Sequence, residues 1–274
     1  MSHDHATAES SAKTDSCCKG GSAGSGESAE GGCCGGKVKA KTGSCGQGAC
    51  GCSGGNAGHA QAAPPLSAVL TVAELEALPT LHLVSRYRRG IEIIDRRVFE
   101  LTEREIDQAF LPAAAGEPDT GRWPVRVLIG HVADSDLVFS HRMRRAVGEE
   151  NPVLATFDED SFVDSNLYGN QTQVYADDPE QDKARVMNVL GGHLAVVHTL
   201  RQWTGQWLLR LSEEQWERKA LHPQRGAMSV KRILAYATWH LEHHGRFLAR
   251  KLDKMVGPLE ESSGGGCCGG KGCC

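Results

Sequence analysis

An all-α fold, a four-helix bundle running up-down-down-up, is what this sequence predicts, on three observations. Apolar residues recur at steps of three and four in four long segments. Strand-like alternation is almost absent. The links between the segments run short, long, short. In the first helix, roughly Thr80 to Leu101, the stripe is Val84, Tyr87, Ile91, Ile94, Val98 and Leu101. A loop with Pro112, Gly116, Pro118 and Gly121 leads to the second helix, from Trp123-Pro124 to about Val147. Proline is tolerated there because the first-turn N–H has no intrahelical partner. Leu128, His131, Ser135 and Val138 share one seam of that helix. A long crossover, Gly148 to Asp178, follows, with a short helix expected within Phe157 to Leu167. The third helix is read from Pro179 to Leu211, with Gly191-Gly192 as a point where it could bend. Ser229 caps the fourth, with Met228 before it and Ile233 four positions inside as a hydrophobic staple, and the helix ends near Leu252. The short links suit antiparallel neighbours, and the crossover leaves the second and third helices parallel.

Only the middle of the chain can fold this way. Of 274 residues, 11 are Cys, seven of them in residues 1–65 and four in the last eight. All 15 aromatic residues lie between Leu66 and Val256, whereas residues 1–65 contain no Leu or Ile. Such a segment cannot bury enough apolar surface to offset the entropy of ordering it. We therefore read residues 1–65 and 257–274 as disordered Cys/Gly-rich tails flanking one helical domain, residues 66–256.

The net charge of −4, with no basic block, excludes a mainly electrostatic grip on nucleic acid. No run approaches the length of a membrane span. The first ten residues have neither a basic region nor an apolar stretch, so no export signal is expected. A cytoplasmic protein with reduced thiols follows, and the odd cysteine count disfavours a closed set of internal disulfides. A homodimer is compatible with this reading.

The strongest chemical signal is Trp239-His240-Leu241-Glu242-His243-His244. On the fourth helix the seam positions are Ile233, Ala237, His240, His244 and Phe247, so His240 and His244 face inward one turn apart. Two buried imidazoles need partners, and one metal ion would satisfy both; hydrogen bonds to polar neighbours are the competing reading. His131 adds weight to the metal. If the second and fourth helices are antiparallel, its depth matches that of His244 to within about a turn. His193 and His198, five apart, cannot share a metal. Asp134 and Asp136 could orient an imidazole, and Ser135 could be a hydroxyl in the pocket. His243 could support the site or simply flank Trp239. Glu242 points away from the seam. His82, His141 and His222 have no partner that the sequence supplies.

The stretch Gly121-Arg-Trp-Pro-Val-Arg-Val-Leu-Ile-Gly-His131-Val-Ala-Asp-Ser-Asp, followed by Phe139 to Arg145, resembles the second helix of the DinB-like superfamily. This superfamily includes the YfiT-like proteins classed as metal-dependent hydrolases. Thr238-Trp-His240-Leu-Glu-His-His244 resembles its closing histidine motif, and Pro152, Phe157-Asp-Glu-Asp and Phe162 match its crossover. The resemblance covers Leu81 to Leu252. It implies a metal-binding bundle with His131, His240 and His244 as the ligands, and we expect a divalent ion there, zinc first and nickel, iron or manganese as alternatives. It also implies a hydrolase, or a transferase that uses a low-molecular-weight thiol, acting on a small molecule. Pro124 stands where the family has a serine cap.

The tails are outside that pattern. Cys17, Cys18, Cys33, Cys34, Cys45, Cys50, Cys52, Cys267, Cys268, Cys273 and Cys274 are dense thiols on glycine-rich chain. Thiolates of this kind gather soft metal ions. The alternative function is thus a metal-handling or stress-response protein rather than an enzyme. No polybasic segment accompanies the terminal Cys-Cys, which argues against lipidation.

Overall fold

The computed structural model describes residues 63–259, apart from 112–114, 116, 118, 172 and 173. All eleven tail cysteines lie outside these residues. Four long elements build a four-helix bundle: α2 (Thr80–Arg89), α4 (Val125–Gly148), α6 (Pro179–Leu208) and α8 (Val230–Val256). Short helices α1 (Val72–Ala77), α3 (Glu103–Ile106), α5 (Glu159–Asp164) and α7 (Glu213–Glu217) cover its ends and links. No described helix is long and apolar enough to cross a membrane.

The packing fixes the direction of each long helix. Val125 and Leu128 at the start of α4 share a cluster with Leu248 and Leu252 near the end of α8. Met143 and Ala146, near the end of α4, pack with Val230 and Ile233 at the start of α8. Those two helices are antiparallel. Val186 and Leu190 of α6 join the first cluster and Leu208 the second, so α4 and α6 are parallel. Leu83 and Val84 of α2 sit with Leu208 and Ile233, which sets α2 parallel to α8. The order is therefore up-down-down-up, with the 149–178 crossover joining the parallel pair. Packing is α2 on α6 and α8, and α4 on α6 and α8. The consecutive pairs α2–α4 and α6–α8 thus face each other across the core, rather than lying side by side as the sequence reading of their links suggested.

Three boundaries differ from the sequence reading. The first long helix stops at Arg89 and continues as 3₁₀ turns, Gly90–Ile93 and Arg96–Glu100, the second capped by the Asp95 carboxylate on the Arg97 N–H. The stripe still faces inward, because a 3₁₀ helix also repeats every three residues. The third helix runs without interruption through Gly191-Gly192 and ends at Leu208. The fourth extends one turn further, to Val256, and Ser229 caps it as expected, accepting from the Arg232 N–H.

Between α7 and α8 lies a hairpin that was not foreseen, β1 (Lys219–His222) paired antiparallel to β2 (Gly226–Ser229). Its turn contains Pro223 and ends on Gly226 at φ +74°, a left-handed conformation that suits glycine. The crossover is tied to it: Leu154 N–H donates to Leu221 O and Leu221 N–H to Pro152 O, both at 2.8 Å. Hairpin and crossover together roof the α4–α8 interface.

Two buried ion pairs fasten the middle of the bundle. Arg201 of α6 grips Asp136 of α4 through two bonds of 2.6 and 2.8 Å and donates to Ala237 O of α8. Arg86 of α2 grips Glu242 of α8 at 2.6 and 2.9 Å and also donates to Pro65 O and Ala68 O. Asp136 and Glu242 are spoken for by arginines and lie on faces of α4 and α8 away from the histidines.

Candidate metal centre

His131 sits in the second turn of α4, and His240 and His244 sit one turn apart on α8, at the level where Val132 and Leu241 meet in the core. Antiparallel packing brings the three rings together. His240 Nε2 is 3.1 Å from His131 Nε2 and 3.2 Å from His244 Nε2. One ligand atom from each of the three lies within 4.8 Å of the others, and no fourth Cys, Asp, Glu or His joins them among the described residues.

Proton arithmetic makes this cluster unsatisfied by itself. If His240 Nε2 carries a proton, it can donate to only one neighbour. If it carries a lone pair, it can accept only one N–H. One of the two short contacts is therefore left without a hydrogen bond. A cation at the point of convergence satisfies all three lone pairs. Nδ1 of His131 and Nδ1 of His244 are buried without partners among the described residues, so no hydrogen bond on the far side fixes either tautomer.

Burial holds the rings neutral, as ligation requires. It pushes the His131 imidazole down to about 4 and His244 to about 3, the latter helped by the charges that His131, His243 and Lys251 would carry. His240 is also lowered well below the ordinary imidazole value, first by burial and then by its two histidine neighbours. Aromatic rings supply the dry surroundings. Trp123 meets His131 edge-on at 4.8 Å, Phe157 stacks on it at 6.0 Å, and Phe139 meets His240 edge-on at 5.7 Å.

A cavity of about 180 Å³ opens beside His131 and His240, bounded by α4, α8, the crossover and the hairpin. Cavities of about 150 Å³ hold benzene, so this one suits a small molecule. The described residues also match a family model, that of the DinB superfamily, over residues 70–248, more than half of the chain. The chain belongs to the DinB superfamily.

Curated relatives of this DinB-superfamily chain carry one provisional name, metal-dependent hydrolase. One from Oceanobacillus iheyensis is 24% identical over 152 residues, 56% of this chain and 73% of that one. YfiT of Bacillus subtilis is 28% identical over 155 residues, 54% of this chain and 76% of its own. The solved structure of YfiT, described as an unusual four-helix bundle topology, aligns with a TM-score of 0.44 at 20% identity, covering 70% of this chain and 93% of that one.

The remaining site expectations divide. Ser135 lines the cavity, with Oγ 3.4 Å from His131 Nε2, long for a hydrogen bond. Asp134 does not orient an imidazole of the cluster: it accepts from the Tyr168 hydroxyl at 2.8 Å instead. The close approach of Tyr168 to α4 needs Gly130, since a Cβ there would strike the ring. Asp136 is held by Arg201. His243 stacks on Trp239 at 4.6 Å and makes no hydrogen bond to the cluster, so it flanks rather than supports it. His193 faces Tyr168, away from the three histidines.

Sequence reasoning missed Arg142, His222 and Arg225 in the cavity wall. Arg142 had a readable signal, because the seam His131, Ser135, Val138 reaches it at the next step. His222 and Arg225 depend on the hairpin, whose only advertisement was Pro223 in the turn and Gly226 at the start of the second four-residue strand.

Proposed function

We propose that this protein is a metal-dependent hydrolase or thiol-dependent transferase acting on a small electrophile. One observation carries the reading: three imidazole nitrogens converge beside a small cavity with no fourth protein ligand among the described residues. A closed structural zinc site would have four protein ligands, whereas a catalytic one keeps a position open. His131, His240 and His244 would hold the ion, for which zinc is the first choice on donor chemistry, with nickel, iron or manganese as alternatives. When bound, it supplies Lewis acidity toward a water or a thiol.

The chain's own residues do the rest. Trp123, Phe139 and Phe157 exclude water from the imidazoles. The Ser135 hydroxyl, buried and next to His131, is placed to donate to a polar atom of a bound molecule. Arg201 and Arg86 neutralise the nearby carboxylates Asp136 and Glu242, so neither serves as a general base.

Cobalt substitution tests the open position. Adding a small neutral thiol to the cobalt-loaded protein should bring in a sulfur-to-cobalt charge-transfer band, and His240→Ala should abolish it. A cobalt spectrum indifferent to saturating thiol and hydroxamate would mean a closed site. The reading of a metal-handling protein, which the eleven tail cysteines favour, would then take its place.

A further inference from the structure

The same cavity has a second chemical character. Away from the histidines its wall is built from Arg142 of α4, His222 of β1 and Arg225 of the hairpin turn. Neither arginine makes an ion pair with a carboxylate among the described residues, whereas the three buried arginines, Arg86, Arg126 and Arg201, all do. Arg142 Nη2 donates to Ala155 O at 2.9 Å, while its Nε is buried with no partner. Arg225 donates to the Tyr236 hydroxyl at 3.3 Å and lies over that ring, which leaves most of its guanidinium donors available.

His222 adds a directed donor. It is 5% exposed, and its Nδ1 accepts the Gln224 N–H at 3.2 Å, which fixes the neutral tautomer with the proton on Nε2. The three groups are mutual neighbours. Burial lowers the Arg142 guanidinium, and the charge of Arg225 lowers it further. The His222 imidazole is lowered by burial and then by both arginines. The one carboxylate in the lining, Glu159, is exposed and pairs with neither. The rest of the wall includes Phe139, Met228 and Ile233, which are apolar.

Two guanidinium groups without a carboxylate partner and the His222 N–H, in a wall that also holds the apolar Phe139, Met228 and Ile233, form a receptor for a small anion with a flat fork of acceptors. We propose that the cavity selects a ligand bearing a carboxylate, held by Arg142, His222 and Arg225, on a small apolar body that reaches toward His131 and His240. This rests on the proposed function only for the chemistry at the histidine end; the anion site belongs to the fold and needs no metal. The carboxylate could belong to an acidic electrophile or to an acidic thiol.

Calorimetric titration with matched acid and amide pairs tests it. Benzoate against benzamide stands for the electrophile, and 3-mercaptopropionate against 3-mercaptopropionamide for the thiol. Each pair is titrated into the full-length protein, with and without zinc. At least one acid should bind about tenfold more tightly than its amide, the scale of one charge-assisted pairing. The pair with the larger preference identifies the source. Arg225→Gln, an exposed change that leaves the fold intact, should reduce the preference, and Arg142→Gln with Arg225→Gln should remove it. Arg142→Lys with Arg225→Lys should keep part of it.

The preference should survive in metal-free protein and in His240→Ala. Metal binding unchanged in His240→Ala, with the acid preference intact, would count against the metal reading and not against the anion site. Acids and amides that bind equally, or an acid preference unchanged in the double glutamine variant, would overturn the proposal.

Discussion

A buried imidazole is a liability without a partner, and His131, His240 and His244 face one another with one proton too few or one too many between them. The structure revises the pH at which that matters. An exposed histidine titrates near 6.5, and the sequence alone places acid release of a metal at about pH 6–6.5. Burial moves His131 down to about 4 and His244 to about 3, so protons compete for the folded site only in that lower range. The same shift governs stability. Between about 6.5 and the folded values the unfolded chain binds protons that the native, metal-free chain refuses. Stability is therefore fully present above about pH 6.5 and falls as pH drops toward 4, by about 1.4 kcal/mol per pH unit for each such histidine. Urea midpoints of metal-free protein between pH 7 and 4.5 should show this loss, and His240→Leu should make the slope shallower. An unchanged slope in that variant would mean that the cluster is not held neutral. The three histidines themselves were legible in the sequence, because helical spacing alone puts His240, His244 and His131 on facing seams. Asp134 was misjudged for a plain reason: three positions from His131 on a helix, its nearest acceptor-seeking neighbour is Tyr168, which comes from the crossover.

At the scale of the element, long helices were readable and short connecting elements were not. A seam of Leu128, His131, Ser135 and Val138 extends over about three turns, and each turn repeats the signal. The hairpin has four residues per strand, and its register depends on the crossover that it pairs with at Leu221. That dependence on distant chain is why the hairpin's part of the cavity wall was invisible. Buried charge was also underestimated. Glu242 lies between two candidate ligands, yet its carboxylate belongs to Arg86, which in turn ties residues 65–68 to α8. Removing one partner of a buried pair strands the other, at a cost of about 3–5 kcal/mol. Glu242→Ala should therefore lower the free energy of unfolding by about that amount, while Arg86→Met combined with Glu242→Leu should recover much of it. Chemical denaturation measures both. A loss below about 1 kcal/mol for Glu242→Ala would mean that the pair is solvated and does not fasten α2 to α8.

At the scale of the whole molecule, residues 66–256 carry all 15 aromatic side chains, and the cysteine-rich segments flank them in the sequence. The topology is set by packing, with the 149–178 crossover returning the chain to the same end so that α4 and α6 run parallel. Which helices touch did not follow from link length: short links constrain direction, whereas the choice between side and diagonal is made by packing, with Arg201 and Arg86 setting α6 and α2 against α4 and α8. The central claim is that this bundle, without the tails, holds one divalent ion on His131, His240 and His244. Metal content decides it most directly. Residues 66–256, purified without added metal and shown to be helical and cooperatively folded, should retain or take up one zinc per chain at pH 7. Replacing the three histidines together with Ala should abolish it, and His193→Ala should leave it unchanged. Stoichiometric zinc in the folded triple alanine variant would contradict the account.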